Sequence, residues 1–327
     1  MSESRWAHPV LDADALGAGP AAVRLLGEDL VLWRDACGTP RAARDRCPHR
    51  GTRLSLGHVC DGQLECPYHG WRFDGTGRCV RIPALPDFVP PASHGLATIP
   101  VVQAHGLLWL QFEADAALPR FDGEGDPKLR KLNVGPYDVA TGAPRIVENF
   151  LDLAHFGFVH EGWLGSREHT AFIDHPVQTT PTGFLATGCK AWQPQSSVHA
   201  QGGADVDYTY EVNAPYTSVL TKVPDGATVH IEGFRESIAL FICPVSPEHS
   251  RVWFRLAMND FDSPDSKLQG FQDIIFSQDK PVLESQLPRR LPISENAPVR
   301  ELHSAADRSS AAYRRYLRER LITFGTC

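Results

Sequence analysis

At 327 residues the chain is too long for one small core, so two domains are expected. Its 42% hydrophobic and 22% charged residues are ordinary for a globular protein in water. A formal net charge of -7 argues against nucleic acid or an anionic membrane as the main partner. No apolar run approaches the roughly 18 to 20 residues that span a bilayer.

The N-terminal MSESRWAHPVLDADALGAGP has no basic segment leading into an apolar one, so it does not read as a secretory signal. Residues 21–35, AAVRLLGEDLVLWRD, predict two short strands around a Gly-Glu-Asp turn. LECPYHGWRF, GRCVRIPAL and GLLWLQF continue the pattern, so residues 1 to about 113 predict a small all-β unit. ALPRFDGEGDP, 117–127, has the composition of a linker. A helical signal covers 145–160, and strand-like segments run from about 177 to 260, among them ATVHIEG, SIALFICPV and RVWFRLAMND. A helix is expected from Ser263-Pro264-Asp265, with Ser or Asp as cap and Pro early. The closing SAADRSSAAYRRYLRERL reads as a basic amphipathic helix, one face solvated and the other packed. The second domain is therefore α+β, a sheet with helices on it.

Eight cysteines at irregular spacing do not form a disulfide framework, and a reducing cytoplasm is the expected location. Two of them stand out. Cys47-x-His49 lies in CPHRG, and after sixteen residues Cys66-x-x-His69 lies in CPYHGW. Two Cys and two His can bind zinc, but zinc modules tend to keep the cysteines in one short pair and the histidines in another. Mixed pairs suit a [2Fe-2S] cluster in which one iron takes two thiolates and the other two imidazoles. The neighbouring Pro and Gly fit tight turns with N–H groups free to face sulfide. Together CPHRG and CPYHGW resemble the Rieske iron–sulfur domain. The other six cysteines, such as Cys37, Cys60, Cys79 and Cys243, read as buried or unreactive thiols.

The stretch NFLDLAHFGFVH, 149–160, places Asn149, Asp152, His155 and His160 in an apolar run. Buried polar groups need partners. A non-haem iron site uses two imidazoles and one carboxylate on one face of the metal. His155 and His160 are i, i+5, about 140° apart on a regular helix, so a π-bulge or irregular turn is expected between them, with Gly157 as the weak point. Asp152 sits one turn before His155 and shares its face. The carboxylate is sought in PDSKLQGFQDIIFSQDKPVLESQ, whose apolar face carries Leu268, Phe271, Ile275 and Val282. Asp279 falls on that face and Asp273 points away, so Asp279 is the expected third ligand.

NFLDLAHFGFVH, with QDKPVLESQ and the closing YRRYL, is similar to the Rieske non-haem iron oxygenases. The likeness is to the monooxygenase branch of vanillate and dicamba O-demethylases, and more distantly to pheophorbide oxygenases. Pro281 departs from that pattern, since a residue able to continue the helix is expected there. The resemblance implies a Rieske domain over 1–116, a linker over 117–130 and a catalytic domain of the α+β helix-grip (START-like) kind over 131–327. It implies a homotrimer in which the cluster of one subunit serves the mononuclear Fe(II) of the next. Asp152 would bridge them, from the neighbour's His69 to its own His155, and Asn149 would line the iron pocket. O2 is the co-substrate. Two electrons from NADH arrive through a separate reductase, with or without a ferredoxin, because this chain has no flavin or dinucleotide fingerprint. The product is a hydroxylated or demethylated small aromatic or alicyclic molecule.

Leu240, Ile242, Phe271 and Ile275 are candidate pocket residues, apolar as such a substrate requires. Leu240 stands where a carboxylate site might present His or Arg, which argues against a benzoate-like anion. Three rivals remain. A ring-dihydroxylating dioxygenase would tend to be longer. A Rieske electron carrier fused to a ligand-binding domain would lack mononuclear iron. A zinc module would be colourless.

Overall fold

The computed structural model of the chain describes residues 1–113, 115–198, 200, 202–224 and 235–327. The expected strand ATVHIEG, 227–233, lies outside them. The chain divides into two compact units, Ser4–Leu118 and a second made of Met1–Glu3 with Pro119–Cys327. No helix among the described residues is long and apolar enough to cross a membrane.

The first unit is built from β1 His8–Asp12, β2 Ala21–Leu25, β3 Glu28–Arg34, β4 Pro40–Arg44, β5 His58–Cys60, β6 Gln63–Glu65, β7 Arg72–Phe73, β8 Cys79–Arg81, β9 Thr98–Ile99, β10 Val101–Ala104 and β11 Leu107–Leu110. They form three antiparallel sheets, β1-β11-β10, β2-β3-β4-β9 and β5-β6-β7-β8. The β2–β3 turn is Leu26-Gly27, not the expected Gly-Glu-Asp; both residues have positive φ, at 50° and 81°. A two-residue hairpin turn of that hand matches strand twist, which leaves Glu28 and Asp29 to open β3. Val31, Trp33, Leu54, Leu64 and Phe73 form the core with Cys47, Cys66 and Cys79. All eight cysteines are free; Cys79 and Cys243 are buried, Cys60 is half-buried and Cys37 is exposed.

The second unit centres on a seven-stranded antiparallel sheet. Its strands are β12 Arg130–Val139, β13 Val177–Thr179, β14 Phe184–Gln193, β15 Ala204–Ala214, β16 Thr217–Pro224, β17 Glu236–Ser246 and β18 His249–Met258, in the order β12-β18-β17-β16-β15-β14-β13. Strand β17 is buried along nearly its whole length, so both sheet faces are covered there. Its odd-numbered side carries Phe241, which meets Phe121 edge to face at 6.4 Å. That contact comes from the segment read as linker. Its short helix α1, Asp122–Gly125, sends Glu124 to Arg255 at 2.8 Å, and Phe121 and Leu129 are buried. Composition suggested a linker because Gly, Asp and Pro dominate; two large apolar residues and ion pairs from Arg120, Glu124 and Asp126 hold it against the unit.

The even-numbered side of the sheet faces α2 Ala143–Phe150 and the long α4 Asp265–Ser285. The α4 N-cap is Pro264, with no side-chain cap bond, and Pro281 lies inside the helix. A proline there removes one backbone bond, yet the helix runs on for four residues. Its buried face is Leu268, Gln272, Ile275, Phe276, Asp279 and Leu283; Val282 is exposed, a correction to the predicted face. The closing helix is α5, Arg308–Glu319. It is less solvated than its basic composition suggested, because Arg314 is buried between Glu148 at 2.6 Å and Glu301 at 2.5 Å. Arg145 reaches Glu301 at 2.7 Å, so a four-charge ladder ties α2 to α5.

Candidate metal centres

Residues 47–52 and 66–71 fold as two copies of one loop. The Cys47 N–H donates to Thr52 O (2.8 Å) and the Gly51 N–H to Cys47 O (2.8 Å). The Cys66 N–H donates to Trp71 O (2.9 Å) and the Gly70 N–H to Cys66 O (3.1 Å). Gly51 and Gly70 sit at φ of 74° and 67°, the left-handed region that closes each turn without a Cβ clash. This repeat puts Cys47 and Cys66 into the core and leaves His49 and His69 exposed at the loop tips. The imidazole centroids are 4.6 Å apart. Trp71 stacks on His49 at 4.7 Å, fixing that ring.

Burial and the neighbouring Cys66 thiol push the Cys47 thiol up to about 11. Desolvation and the nearby His69 and Arg50 lower the His49 pKa. Among the described residues, one set of three or more His, Cys, Asp or Glu donors converges within 4.8 Å, and it is not this one. A single zinc with bonds of about 2.0–2.3 Å would draw its four donors closer than that. Two inner thiols and two outer imidazoles fit a group with two metal atoms, a [2Fe-2S] cluster.

The converging set is His155, His160 and Asp279. Helix α2 ends at Phe150, and one short turn, α3 Phe156–Val159, follows. The break therefore falls at 151–155, before His155, and not at Gly157. Gly157 lies within α3, where a Cβ would sit 2.8 Å from Ser166 O; it is small so that two segments can approach. His155 is the N-cap of α3 and His160 its C-cap, with φ -110° and ψ 32°. One histidine at each end of a single turn, the second already off the helix, brings the rings to 5.0 Å between centroids.

His155 Nε2 and His160 Nε2 lie 3.5 and 3.2 Å from Asp279 Oδ1. Donors about 3 Å apart are what an ion with bonds near 2.1 Å and neighbouring coordination positions requires. Each imidazole keeps its Nδ1 for a protein partner. His155 Nδ1 is 3.3 Å from Asp152 Oδ2, and His160 Nδ1 is 2.8 Å from Gln278 Oε1. Such outer bonds fix ring orientation and leave Nε2 for metal. Burial alone would lower the His160 pKa, but Asp279 and Gln278 outweigh it and leave it raised. The Asn149 amide donates to Asp279 Oδ1 at 3.3 Å. Asp152 meets His155 from a turn, not from a shared helix face, and its Oδ1 accepts the Ala154 N–H at 2.7 Å.

The triad forms part of the wall of a cavity of about 70 Å³ between α4 and the sheet. Leu240, Phe271 and Ile275 line it as expected; Ile242 does not. It stands two residues beyond Leu240 on β17, about 7 Å further along, past the cavity's end. Gln278, Gln272, Lys222, Tyr208 and Tyr210 are site residues that sequence reasoning missed. The need of a metal-binding histidine for a second partner would have pointed to Gln278, next to Asp279. Nothing local marks the other four.

Residues 7–100 match the Rieske [2Fe-2S] domain model, and residues 139–322 match the vanillate O-demethylase oxygenase C-terminal domain model. Methylxanthine N1-demethylase NdmA of Pseudomonas putida is 31% identical over 325 residues, spanning 98% of this chain and 86% of that protein. Methylxanthine N3-demethylase NdmB of the same species is 30% identical, over 95% and 88%. The solved structure of NdmA with caffeine superposes with a TM-score of 0.82 at 29% identity, covering 97% of this chain and 91% of that one. Dicamba monooxygenase bound to dicamba shares the fold at a TM-score of 0.79 and 24% identity, over 98% and 97%.

Proposed function

This chain belongs to the Rieske non-haem iron oxygenases, in the branch that holds demethylases, and from that premise we propose that it removes a methyl group oxidatively from a small, largely apolar ring compound. As a member of that family it is an oxidoreductase with a Rieske [2Fe-2S] cluster and a mononuclear iron, and it uses O2. The electron-carrier and zinc readings are set aside. The observation that carries the proposal is the His155–His160–Asp279 triad on the wall of an apolar cavity.

In this reading Cys47, His49, Cys66 and His69 hold the cluster, and His155, His160 and Asp279 hold the iron. When bound, the two groups supply electrons and oxygen activation. The chain's own part is geometry. Asp152 and Gln278 orient the imidazoles, Asn149 steadies the shared carboxylate oxygen, and Leu240, Phe254 and Ile275 help keep water from the substrate methyl. The overall change is a C–H bond converted to C–OH, with two electrons, two protons and O2 consumed and one water released. On an N- or O-methyl carbon the hydroxymethyl product then loses formaldehyde. NADH would supply the electrons through a separate reductase. A homotrimer in the cytoplasm completes the proposal, with Asp152 as the bridge from the neighbouring subunit's cluster.

Iron and acid-labile sulfide measured on anaerobically purified protein test it. About three iron and two sulfide per chain are expected, with Asp279→Ala falling to about two iron and keeping the brown cluster spectrum. Equal iron in both proteins would overturn the triad as a metal site. With NADH and a surrogate reductase, formaldehyde from methylated ring compounds is the expected product; cis-diols instead would move the chain to the dihydroxylating class.

A further inference from the structure

One wall of the cavity carries Lys222, whose charge partner Glu236 lies just behind it in an adjoining space, and the proposed reaction uses neither. Tyr208, Lys222, Glu236 and Met258 form one cross-strand row over β15, β16, β17 and β18. Lys222 Nζ lies 2.6 Å from Glu236 Oε2, and the two residues are 4% and 9% exposed. A buried ion pair rarely stabilises more than an apolar pair of the same size, so stability does not explain it. The ammonium has three N–H donors. Glu236 takes one, the Phe271 ring lies 5.8 Å from Nζ, and no other hydrogen-bond partner among the described residues is present. Two donors thus have no partner among the described residues, in a nine-tenths buried group that lines the cavity.

The pair stands away from the triad. Phe271, against which Lys222 rests, precedes Asp279 by eight residues, about 12 Å of helix. Lys222 and Phe271 also line a small adjoining cavity of about 20 Å³ that includes Glu236 and none of the triad. A second buried carboxylate, Asp260, lines that same space and accepts N–H bonds from Asp262 and Ser263.

We infer that Lys222 and Glu236 select a neutral substrate, Lys222 donating a hydrogen bond to a carbonyl-type oxygen at the end remote from the methyl group, and Glu236 rejecting carboxylates. This rests on the proposed demethylation. The pair has no net charge, whichever partner holds the shared proton. A carboxylate entering beside it would leave one negative charge uncompensated in a low-dielectric site, with Asp260 close by. A neutral acceptor oxygen needs only a donor, and Lys222 has two to spare. Selection by a built-in repulsion is how binding sites commonly separate isosteric ligands.

Matched methoxybenzamides and methoxybenzoates, alike in shape and different in charge, are the probes. Their dissociation constants are read by calorimetry on the metal-loaded protein. Wild type is expected to bind the amides at least about tenfold more tightly, the size of one charge-assisted hydrogen bond. Glu236→Gln should narrow or invert that ratio by freeing the Lys222 charge, and Lys222→Met should weaken amide binding about tenfold. The double variant Lys222→Met with Glu236→Leu replaces the pair by apolar groups and guards against misfolding. It should keep the cluster spectrum and melting temperature and lose the preference. A preference for carboxylates, equal binding, no binding of any amide, or an unchanged ratio in Glu236→Gln would overturn the inference. The function reading fails separately: amides that bind selectively but release no formaldehyde sink demethylation and leave the selectivity standing, whereas formaldehyde from a tightly bound benzoate does the reverse.

Discussion

Cys47, His49, Cys66 and His69 lie within 22 residues of one another, counting from 47 to 69, on two loops of the same make. His160 and Asp279 are 119 residues apart, from 160 to 279, and meet only because α4 packs beside α2 on one face of the sheet. The first centre is set by local turn chemistry: a cysteine turned inward, a left-handed glycine four residues on, and an imidazole at the tip. The second is set by long-range packing, and its supports, Asp152, Gln278 and Asn149, come from separate segments. A loop-built site should fail alone when one donor is lost, whereas a packing-built site should also respond to changes well away from its ligands.

Cys66→Ser gives the largest expected effect and breaks only the local centre. Colour and sulfide should be lost and turnover fall to background, while iron at the triad remains, as electron paramagnetic resonance of a nitrosyl adduct can check. If the triad iron disappears too, the two centres are not independent. Gln278→Leu should leave the cluster spectrum unchanged and weaken mononuclear iron binding about 10- to 100-fold, the usual cost of losing an imidazole's outer partner. Competition with a chelator measures this, and an unchanged affinity would remove Gln278 from the site.

Arg314→Met tests the longer reach of packing. It strands Glu148 and leaves Glu301 with Arg145 alone, which should cost about 3 kcal/mol in a denaturant titration. Burial tends to raise the Glu301 pKa, but Arg145 and Arg314 more than offset this and hold it low. A carboxyl with a depressed folded pKa adds stability above its unfolded pKa, and loses it as pH falls through the lower folded value. The variant should therefore show a flatter acid limb than wild type. A contrast on α4 sets one packing effect of similar size against the smallest of all. Leu283→Ala at a fully buried site should cost about 2–5 kcal/mol. Val282→Ala, one residue away and 39% exposed, should stay within about 0.5 kcal/mol. Equal effects would mean that the helix presents a different face.

The periodicity argument for α4 located Asp279 on the buried side, yet it misassigned Val282, because four apolar residues do not define a helix face to better than one position. Pro281 departs from the family pattern, yet twenty-one residues of packed helix carry one missing hydrogen bond without ending. The i, i+5 spacing of the two histidines demanded a departure from regular helix. The departure falls at the two ends of α3, where His155 is the N-cap and His160 the C-cap, and not at Gly157.

By itself the sequence determined the two-unit order of the chain, the β-rich character of the first unit and the turn chemistry that makes two matching metal-binding loops. Those follow from residues close along the chain, where glycine, proline and side-chain alternation act directly on backbone angles. Only the tertiary structure decided the rest: the closure of Asp279 onto His155 and His160, the partner of each Nδ1, and the burial of Lys222 against Glu236 on the cavity wall. Those depend on strand register and on how one helix lies over a sheet, and both are set by packing between segments that carry no local mark of each other.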